Sequence, residues 1–232
     1  MRTIIFGDIH GCVAPLRALL ERIHPEPGQD RIVFLGDLFD RGPDSREVYL
    51  QIRKLAEAFG DDFILLLGNH EDYLLQPHLS PRMRTVWEKV GRRATVKSFE
   101  AAGESMTDTI PWLRDHVRLF WKFEFFQCVH AGIKIDPPEV NDLQTLVHDH
   151  GIVPENRYAG PLTVTGHIAL EHAAWFAGDG ATVLEVEEDT LHPMPEKGVL
   201  CIDTGCGKGG RLTAMIAEGR EYRLISADKE QP

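Results

Sequence analysis

The sequence predicts an α+β fold, because two different patterns of apolar residues follow one another along the chain. In the first half, strand-like runs alternate with helix-like segments in a β-α-β-α-β order, at 3–6, 15–23, 32–35, 44–59 and 63–67. After residue 130 helices are scarce, and short strand-like runs separated by glycine and aspartate predict a second, mainly antiparallel sheet. These later runs are 162–165, 181–186, 199–202, 212–217 and 222–225.

Two helical features can be placed on this pattern. The second helix is expected to begin at Asp44, with Glu47 three residues later returning the hydrogen bond of a capping box. The segment 73–121 is more polar and helix-prone, and it is predicted to form a helical cap over the site. Its expected packing residues are Trp87, Phe99, Trp112 and Leu113.

Length and composition predict one globular domain spanning 1–232. Of the 232 residues, 43% are hydrophobic and 26% are charged, without the long apolar run that a membrane span needs. The first residues run directly into a strand and leave no room for a signal peptide, so we expect a cytoplasmic location. The four cysteines form no C-x-x-C pair, which favours reduced thiols and excludes a zinc finger.

The net charge restricts the partners of the protein. A formal charge of −11 argues against a nucleic-acid-binding surface, because affinity for a polyanion depends on Lys and Arg neutralising phosphates. A phosphate-bearing substrate would also be repelled by the molecule as a whole. Such a substrate therefore requires a strong local positive charge.

Five short polar motifs each follow a strand-like run, where a sheet edge would bring them together. They are Gly7-Asp8-Ile9-His10-Gly11, Gly36-Asp37-Leu38-Phe39-Asp40-Arg41-Gly42, Gly68-Asn69-His70-Glu71, Val129-His130-Ala131-Gly132 and Gly166-His167. Carboxylate, amide and imidazole groups together suit two mixed nitrogen and oxygen metal sites, with Asp37 able to bridge them. The histidines outside these motifs are expected to be surface or structural residues, at positions 24, 78, 116, 148, 150, 172 and 192.

In this order and spacing the motifs resemble those of the calcineurin-like metallophosphoesterases, and within them the phosphoprotein phosphatase (PPP) branch with its bacterial serine/threonine phosphatases. The resemblance covers residues 7–167. The later segments 202–206 and 209–214 are similar to the closing strands of bacterial members and of symmetrical diadenosine tetraphosphatases. The resemblance implies a two-sheet β-sandwich flanked by helices, in four layers ordered α/β/β/α.

The resemblance also implies a dinuclear centre. One ion would be held by Asp8, His10 and Asp37, and the other by Asp37, Asn69, His130 and His167. Two divalent ions, Mn²⁺ first and Fe or Zn²⁺ as alternatives, would share a hydroxide for in-line attack on phosphorus.

The same resemblance implies the other roles in the site. His70 would be the general acid, Asp40 would orient its ring, and Arg41 would clamp the phosphate, with Asn69 also facing the substrate. Family members carry a second phosphate-binding arginine between their last two metal histidines, and Arg157 is the arginine of this interval.

The preferred function is a metal-dependent phosphomonoesterase acting on phosphoserine or phosphothreonine in proteins, or on small phosphoesters. The alternative is a symmetrical bis(5'-nucleosyl)-tetraphosphatase. In those enzymes the second motif tends to read Ala-Arg-Gly and the third tends to end in Asp, whereas this chain has Asp40 and Glu71. A non-catalytic scaffold of the same fold is the third possibility, and the intact set of metal-binding residue types argues against it.

Overall fold

The computed structural model of the protein describes residues 1–228. Among these residues there is no helix whose length and apolar character would let it cross a membrane. Thirteen strands occur in this range: β1 Arg2–Phe6, β2 Asp30–Phe34, β3 Phe63–Leu66, β4 Val117–Arg118, β5 Phe120–Lys122, β6 Gln127–Val129, β7 Thr163–Thr165, β8 Ala174–Phe176, β9 Val183–Glu185, β10 His192–Pro193, β11 Val199–Cys201, β12 Arg211–Glu218 and β13 Glu221–Asp228.

Seven α-helices accompany these strands within the described range. They are α1 Val13–Ile23, α2 Ser45–Phe59, α3 Asn69–Leu75, α4 Pro81–Lys89, α5 Arg92–Glu100, α6 Ile110–His116 and α7 Ile152–Glu155. Short 3₁₀ turns lie at Gly60–Asp62, Met106–Thr109, Pro138–Val140 and Cys206–Lys208, and a π-helical turn lies at Gln144–His148.

The strands of residues 1–228 form two mixed sheets. The first has the order β10-β13-β12-β1-β2-β3-β4, and the second has the order β5-β6-β7-β11-β8-β9. In the first sheet β1, β2 and β3 are parallel, and in the second β6 runs parallel to β7. The carboxyl ends of both parallel groups therefore lead into the five polar motifs.

Alternation along the strands places one apolar face on the helices and the other between the sheets. Ile4 and Phe6 of β1 pack with Leu16 and Leu19 of α1, whereas Ile5 lies in the core between the two sheets. The outer face of the second sheet forms a further small core with α7 and nearby loops. The predicted α+β architecture of two sheets flanked by helices is confirmed.

One part of the topology prediction was wrong. The runs at 212–217 and 222–225 correspond to β12 and β13, which join the first sheet rather than a separate antiparallel one. β12 pairs antiparallel with β1, with Ile4 opposite Ile216. Without β12, that side of β1 would leave its backbone N–H and C=O groups unpaired inside the molecule.

The predicted capping box does not form. Asp44 precedes α2, but its side chain makes no capping hydrogen bond. The ψ angle of Asp44 is 33°, which departs from the extended conformation that a capping side chain needs. Glu47 instead pairs with Arg46 at 2.9 Å.

The segment 73–121 contains the end of α3, all of α4, α5 and α6, and the start of the second sheet. Its aromatic residues pack on α2, where Tyr49 contacts both Phe99 and Trp112. Whether this segment acts as a separate cap stays a prediction.

Phe34→Ala should lower the free energy of unfolding by about 3–5 kcal/mol, because it leaves a cavity in the helix-facing core. The Phe34 ring stacks on Phe6 at 5.0 Å and contacts Phe63 at 5.8 Å. Val183→Ala, at a position 47% exposed, is the matched control and should change stability by less than about 0.5 kcal/mol. Urea unfolding of both variants checks this, and equal small losses would contradict the packing described for β2.

Candidate metal centre

The predicted ligands converge from both sheets. Asp8, Asp37 and Asn69 follow β1, β2 and β3, and His130 and His167 follow β6 and β7. The first two loops are tied together, because the Asp37 carbonyl accepts the His10 N–H at 2.8 Å. The sheets thus fix the relative positions of the ligands before any ion binds.

Asp37 lies at the centre of this arrangement, and its two carboxylate oxygens face different histidines. Oδ2 is 3.5 Å from His10 Nε2 and 3.9 Å from His70 Nε2. Oδ1 is 3.5 Å from His130 Nε2. Asp37 therefore belongs to two groups of possible ligand atoms, each with all its atoms within 4.8 Å of one another. These groups are His10, Asp37 and His70, and Asp37, His130 and His167.

Two of the histidines are oriented by backbone carbonyls. Nδ1 of His10 is 2.8 Å from the Phe39 carbonyl, and Nδ1 of His130 is 2.8 Å from the Leu35 carbonyl. An Nδ1–H that donates to a carbonyl leaves Nε2 unprotonated and directed at the centre, which is the usual arrangement of a metal-binding histidine.

Asn69 and Asp8 complete the set. The Asn69 Oδ1 atom is 3.2 Å from His130 Nε2 and 2.9 Å from His167 Nδ1. Asp8 Oδ2 lies 4.0 Å from His10 Nε2 and accepts the His167 backbone N–H. Asp8 Oδ1 and His167 Nε2 are buried, and neither has a hydrogen-bond partner among the described residues. Since buried polar atoms are normally paired, these two fit metal coordination.

The electrostatics of the site agree with this fit. Burial lowers the pKa of His10 and His130, and burial together with nearby His130 lowers the pKa of His167 to about 2. Burial opposes ionisation of Asp37, but the surrounding histidines outweigh it and lower its pKa. Neutral imidazoles around an ionised carboxylate are the protonation states in which these groups bind cations.

His70 is held by a different network. Its Nδ1 is 2.6 Å from Asp40 Oδ2, which also accepts the indole N–H of Trp87 at 2.7 Å. The other oxygen of Asp40 accepts the Thr95 hydroxyl at 2.7 Å. Burial opposes protonation of His70, but Asp37 and Asp40 outweigh it and raise its pKa. A protonated ring beside the centre could donate a proton to a leaving oxygen.

Sequence reasoning missed the roles of Trp87 and Thr95. Trp87 was expected only to pack, and Thr95 was not singled out. The two residues lie on α4 and α5, 47 and 55 positions beyond Asp40. The only local signal was the placement of a tryptophan in a helix-prone segment after the third motif.

Glu71 supports the loop of the second motif. Its fully buried carboxylate accepts the backbone N–H groups of Asp37, Leu38 and Phe39, at 2.7, 2.9 and 3.3 Å. Burial and nearby Asp37 raise the pKa of Glu71 to about 8, while the N–H groups favour its ionised form. Glu71 thereby fixes the loop that carries Asp37.

Arg41 is half-buried, and its guanidinium makes no ion pair with Asp44 or with any other described carboxylate. Its charge nevertheless acts on Asp8 and Asp203, where it opposes the rise of pKa that burial causes. Arg41 is therefore placed beside the centre and available to an anion.

Arg157 is not brought to this centre by any described contact. The neighbouring Tyr158 bonds Gln127 at the amino end of β6, whereas His130 follows its carboxyl end. Asn156 bonds the 178–182 loop. A role for Arg157 in binding phosphate stays a prediction.

Two of the histidines expected to be surface or structural residues lie beside the site. His150 is exposed, but its ring stacks on His167 with centroids 4.2 Å apart. His148 Nε2 is 2.7 Å from Asp72 Oδ2, and its ring contacts Tyr73. His148 is the last residue of the π-helical turn and His150 follows in the next loop, so this segment lies beside the centre.

The chain belongs to the calcineurin-like phosphoesterases, whose family model matches residues 1–196. A symmetrical bis(5'-nucleosyl)-tetraphosphatase from Pseudomonas entomophila is 32% identical over an alignment of 289 residues, which covers 99% of this chain and 95% of the relative. Because this alignment is longer than the chain, the relative contains segments that this chain lacks.

Two further comparisons agree with the family. A protein of the same name from Marinomonas sp. is 36% identical over 153 residues, covering 64% of this chain and 50% of the relative. A solved metallophosphoesterase structure from Sphaerobacter thermophilus has a TM-score of 0.68 at 16% identity and covers 98% of this chain and 89% of its own. The structural likeness establishes the fold alone. The relatives from Pseudomonas entomophila and Marinomonas sp. both carry the name of the alternative function rather than that of a protein phosphatase.

Asp37→Asn should weaken the binding of both divalent ions at once, because Asp37 is the one carboxylate that faces both ligand groups, whereas Asp8 lies beside only one of them. Equilibrium dialysis against Mn²⁺, read by elemental analysis, measures this. Asp61→Asn, an exposed carboxylate outside the site, is the control and should bind metal as the unchanged protein does. Retention of two ions by Asp37→Asn would rule out its bridging position.

His70→Asn should keep both ions and lower kcat on alkyl phosphates by roughly 10²–10⁴. The loss should shrink on aryl phosphates, whose leaving groups need little protonation. Loss of an ion instead of this leaving-group dependence would identify His70 as a ligand.

Trp87→Phe, which removes only the N–H bonded to Asp40, should lower kcat on alkyl phosphates roughly 10-fold. The loss should again be smaller on aryl phosphates. Trp175→Phe, whose N–H bonds the Lys197 carbonyl at 2.9 Å, is its control.

Proposed function

We propose that this protein is a metal-dependent hydrolase that cleaves dinucleoside tetraphosphates symmetrically into two nucleoside diphosphates. The observation that carries the proposal is the match to a symmetrical bis(5'-nucleosyl)-tetraphosphatase over nearly the full length of both chains, at 32% identity. This proposal replaces the phosphoprotein phosphatase preferred from the motif letters alone.

The residues present fit two divalent ions, held by Asp8, His10 and Asp37 on one side and by Asp37, Asn69, His130 and His167 on the other. When bound, such ions supply a nucleophile at neutral pH and neutralise charge on the attacked phosphate. The orphaned atoms Asp8 Oδ1 and His167 Nε2 support this assignment and count against a non-catalytic scaffold. Mixed nitrogen and oxygen ligands are compatible with Mn²⁺, Fe or Zn²⁺.

The chain's own residues would bind and orient the attacked phosphate. Arg41 offers a planar, permanently charged group for two phosphate oxygens at once. Asp40 keeps the His70 ring in one orientation, with the proton on Nδ1 directed at its carboxylate. Nε2 of His70 is then aimed at the centre and can give its proton to the leaving oxygen.

The Asp40–His70 pair favours a second candidate. A nucleoside diphosphate spreads its negative charge over phosphate oxygens and leaves readily, whereas the alkoxide of serine or threonine needs a proton as it leaves. A well-built general acid is thus more valuable for phosphomonoesters. Hydrolysis of phosphoserine or phosphothreonine peptides is therefore the activity to compare.

Kinetics on both substrates, measured with Mn²⁺ at one pH, test the proposal. We expect kcat/KM on diadenosine tetraphosphate to exceed that on a phosphoserine peptide, with ADP as the sole nucleotide product. Removal of metal by strong chelation should abolish turnover, and Mn²⁺ should restore it. A faster reaction on the peptide, or products ATP and AMP, would overturn the symmetrical tetraphosphatase. Full activity in a verified metal-free sample would overturn the metal mechanism.

A further inference from the structure

We infer that Lys208 is a second phosphate-binding residue, which holds the phosphates of the substrate that are not attacked. This inference rests on the proposed function, because only a polyphosphate extends beyond the metal centre. A phosphomonoester would place a single phosphate between Asp37 and Arg41. A tetraphosphate carries further negative charges, which need cations of their own in a protein of formal charge −11.

The turn that carries Lys208 packs directly on the site. It is the 3₁₀ turn Cys206–Lys208, and at Gly207 it comes so close that an added Cβ would lie 2.5 Å from His10 Cβ and 2.9 Å from Arg41 Cδ. Any larger residue at 207 would push the turn away from both side chains. The next residue, Lys208, therefore begins within a side chain's length of Arg41.

The backbone of this turn is firmly held. The Gly205 N–H donates to the buried Asp203 carboxylate at 2.9 Å, and the Gly205 carbonyl accepts the N–H groups of both Lys208 and Gly210. Cys206 is fully buried. The Cα of Lys208 is thus fixed in position, although its side chain is exposed.

The charge of Lys208 reaches the centre. Burial raises the pKa of Asp203, and the positive charges of Lys208 and Arg41 both oppose this rise. Lys208 and Arg41 therefore both act on Asp203, and no carboxylate of the described residues forms an ion pair with Lys208.

Other cations near the site are already engaged or lie elsewhere. Arg92 follows Gly91, which packs on Arg41. Its guanidinium pairs with Glu88 and lies over the Trp87 ring. Lys134 pairs with Asp149 at 3.1 Å. Lys208 remains as the cation best placed to assist Arg41.

There is room for the rest of a substrate beside Lys208. A cleft of about 470 Å³ runs between residues 169–172 and 204–211, with Lys208 and Arg211 in its lining. This volume lies within the range of small-molecule sites. The lining begins two residues after His167 and includes Lys208, which leaves space beside this lysine for further phosphates.

Steady-state kinetics of Lys208→Met test the inference. We expect KM for diadenosine tetraphosphate to rise roughly tenfold, the usual loss for one charged contact to phosphate, with kcat changed far less. Lys208→Arg should restore most of the lost affinity. Lys54→Met, an exposed lysine on α2, is the matched control and should behave as the unchanged protein. An unaltered KM in Lys208→Met would overturn the inference.

A second measurement separates this inference from the proposed function. Inorganic tripolyphosphate and orthophosphate are compared as inhibitors of p-nitrophenyl phosphate hydrolysis. Lys208→Met should weaken inhibition by tripolyphosphate roughly tenfold more than inhibition by orthophosphate, because only the longer anion reaches Lys208. Equal weakening of both inhibitors would reject the role of Lys208. This comparison of inhibitors is informative whether or not the unchanged protein cleaves dinucleotides. Only the hydrolysis of dinucleotides tests the proposed function.

Discussion

The site depends on one carboxylate, Asp37, whose two oxygens face two different groups of histidines. His10 and His70 lie on one side and His130 on the other, at 3.5–3.9 Å. Two cations close together repel each other strongly in a buried site. A carboxylate shared between them attracts both and so lowers the free energy of both. Most other features of the site serve to keep Asp37 in this position. Glu71 binds the N–H groups of its loop, and the Asp37 carbonyl binds the loop of His10.

The backbone of the site is held in an uncommon conformation. Eight non-glycine residues have positive φ in the described part of the chain, and five of them belong to the predicted site: His10, Asp37, Asp40, Arg41 and His167. Left-handed conformations cost free energy for residues with a Cβ and persist where surrounding contacts impose them. Here the sharp turns direct the functional side chains away from the sheets and toward a common point.

Much of the fold could be predicted because strand and helix patterns are local. Apolar runs before each polar motif located β1, β2, β3 and β7, and the shared carboxyl edge of parallel strands explained why the motifs meet. The position of β12 could not be predicted, since an apolar strand carries no local sign of which sheet edge it will cover. The capping box at Asp44 failed for a related reason, because the backbone angle there is set by contacts with the first motif's loop.

The predicted ligand types were readable for the same local reason, as was Asp40, whereas the supporting residues distant in sequence were not. A helical pattern shows that Trp87 faces the core, but it cannot show that the indole N–H reaches Asp40, 47 residues away. His150 gave no sequence signal, because its stacking on His167 depends on how the loop after residue 148 folds back. The letters of two motifs favoured a protein phosphatase, whereas the named relatives are symmetrical tetraphosphatases. In the structure Asp40 and Glu71 support the site through hydrogen bonds, and neither observation measures which substrate is cleaved.

Whether Asp37 is shared between two ions is tested most directly by anomalous diffraction from a crystal of the protein grown with Mn²⁺. Two anomalous peaks are expected roughly 3.5–4 Å apart with Asp37 between them, one beside Asp8 and His10 and the other beside His130 and His167. A single peak, or a pair of peaks that does not include Asp37, would contradict this sharing.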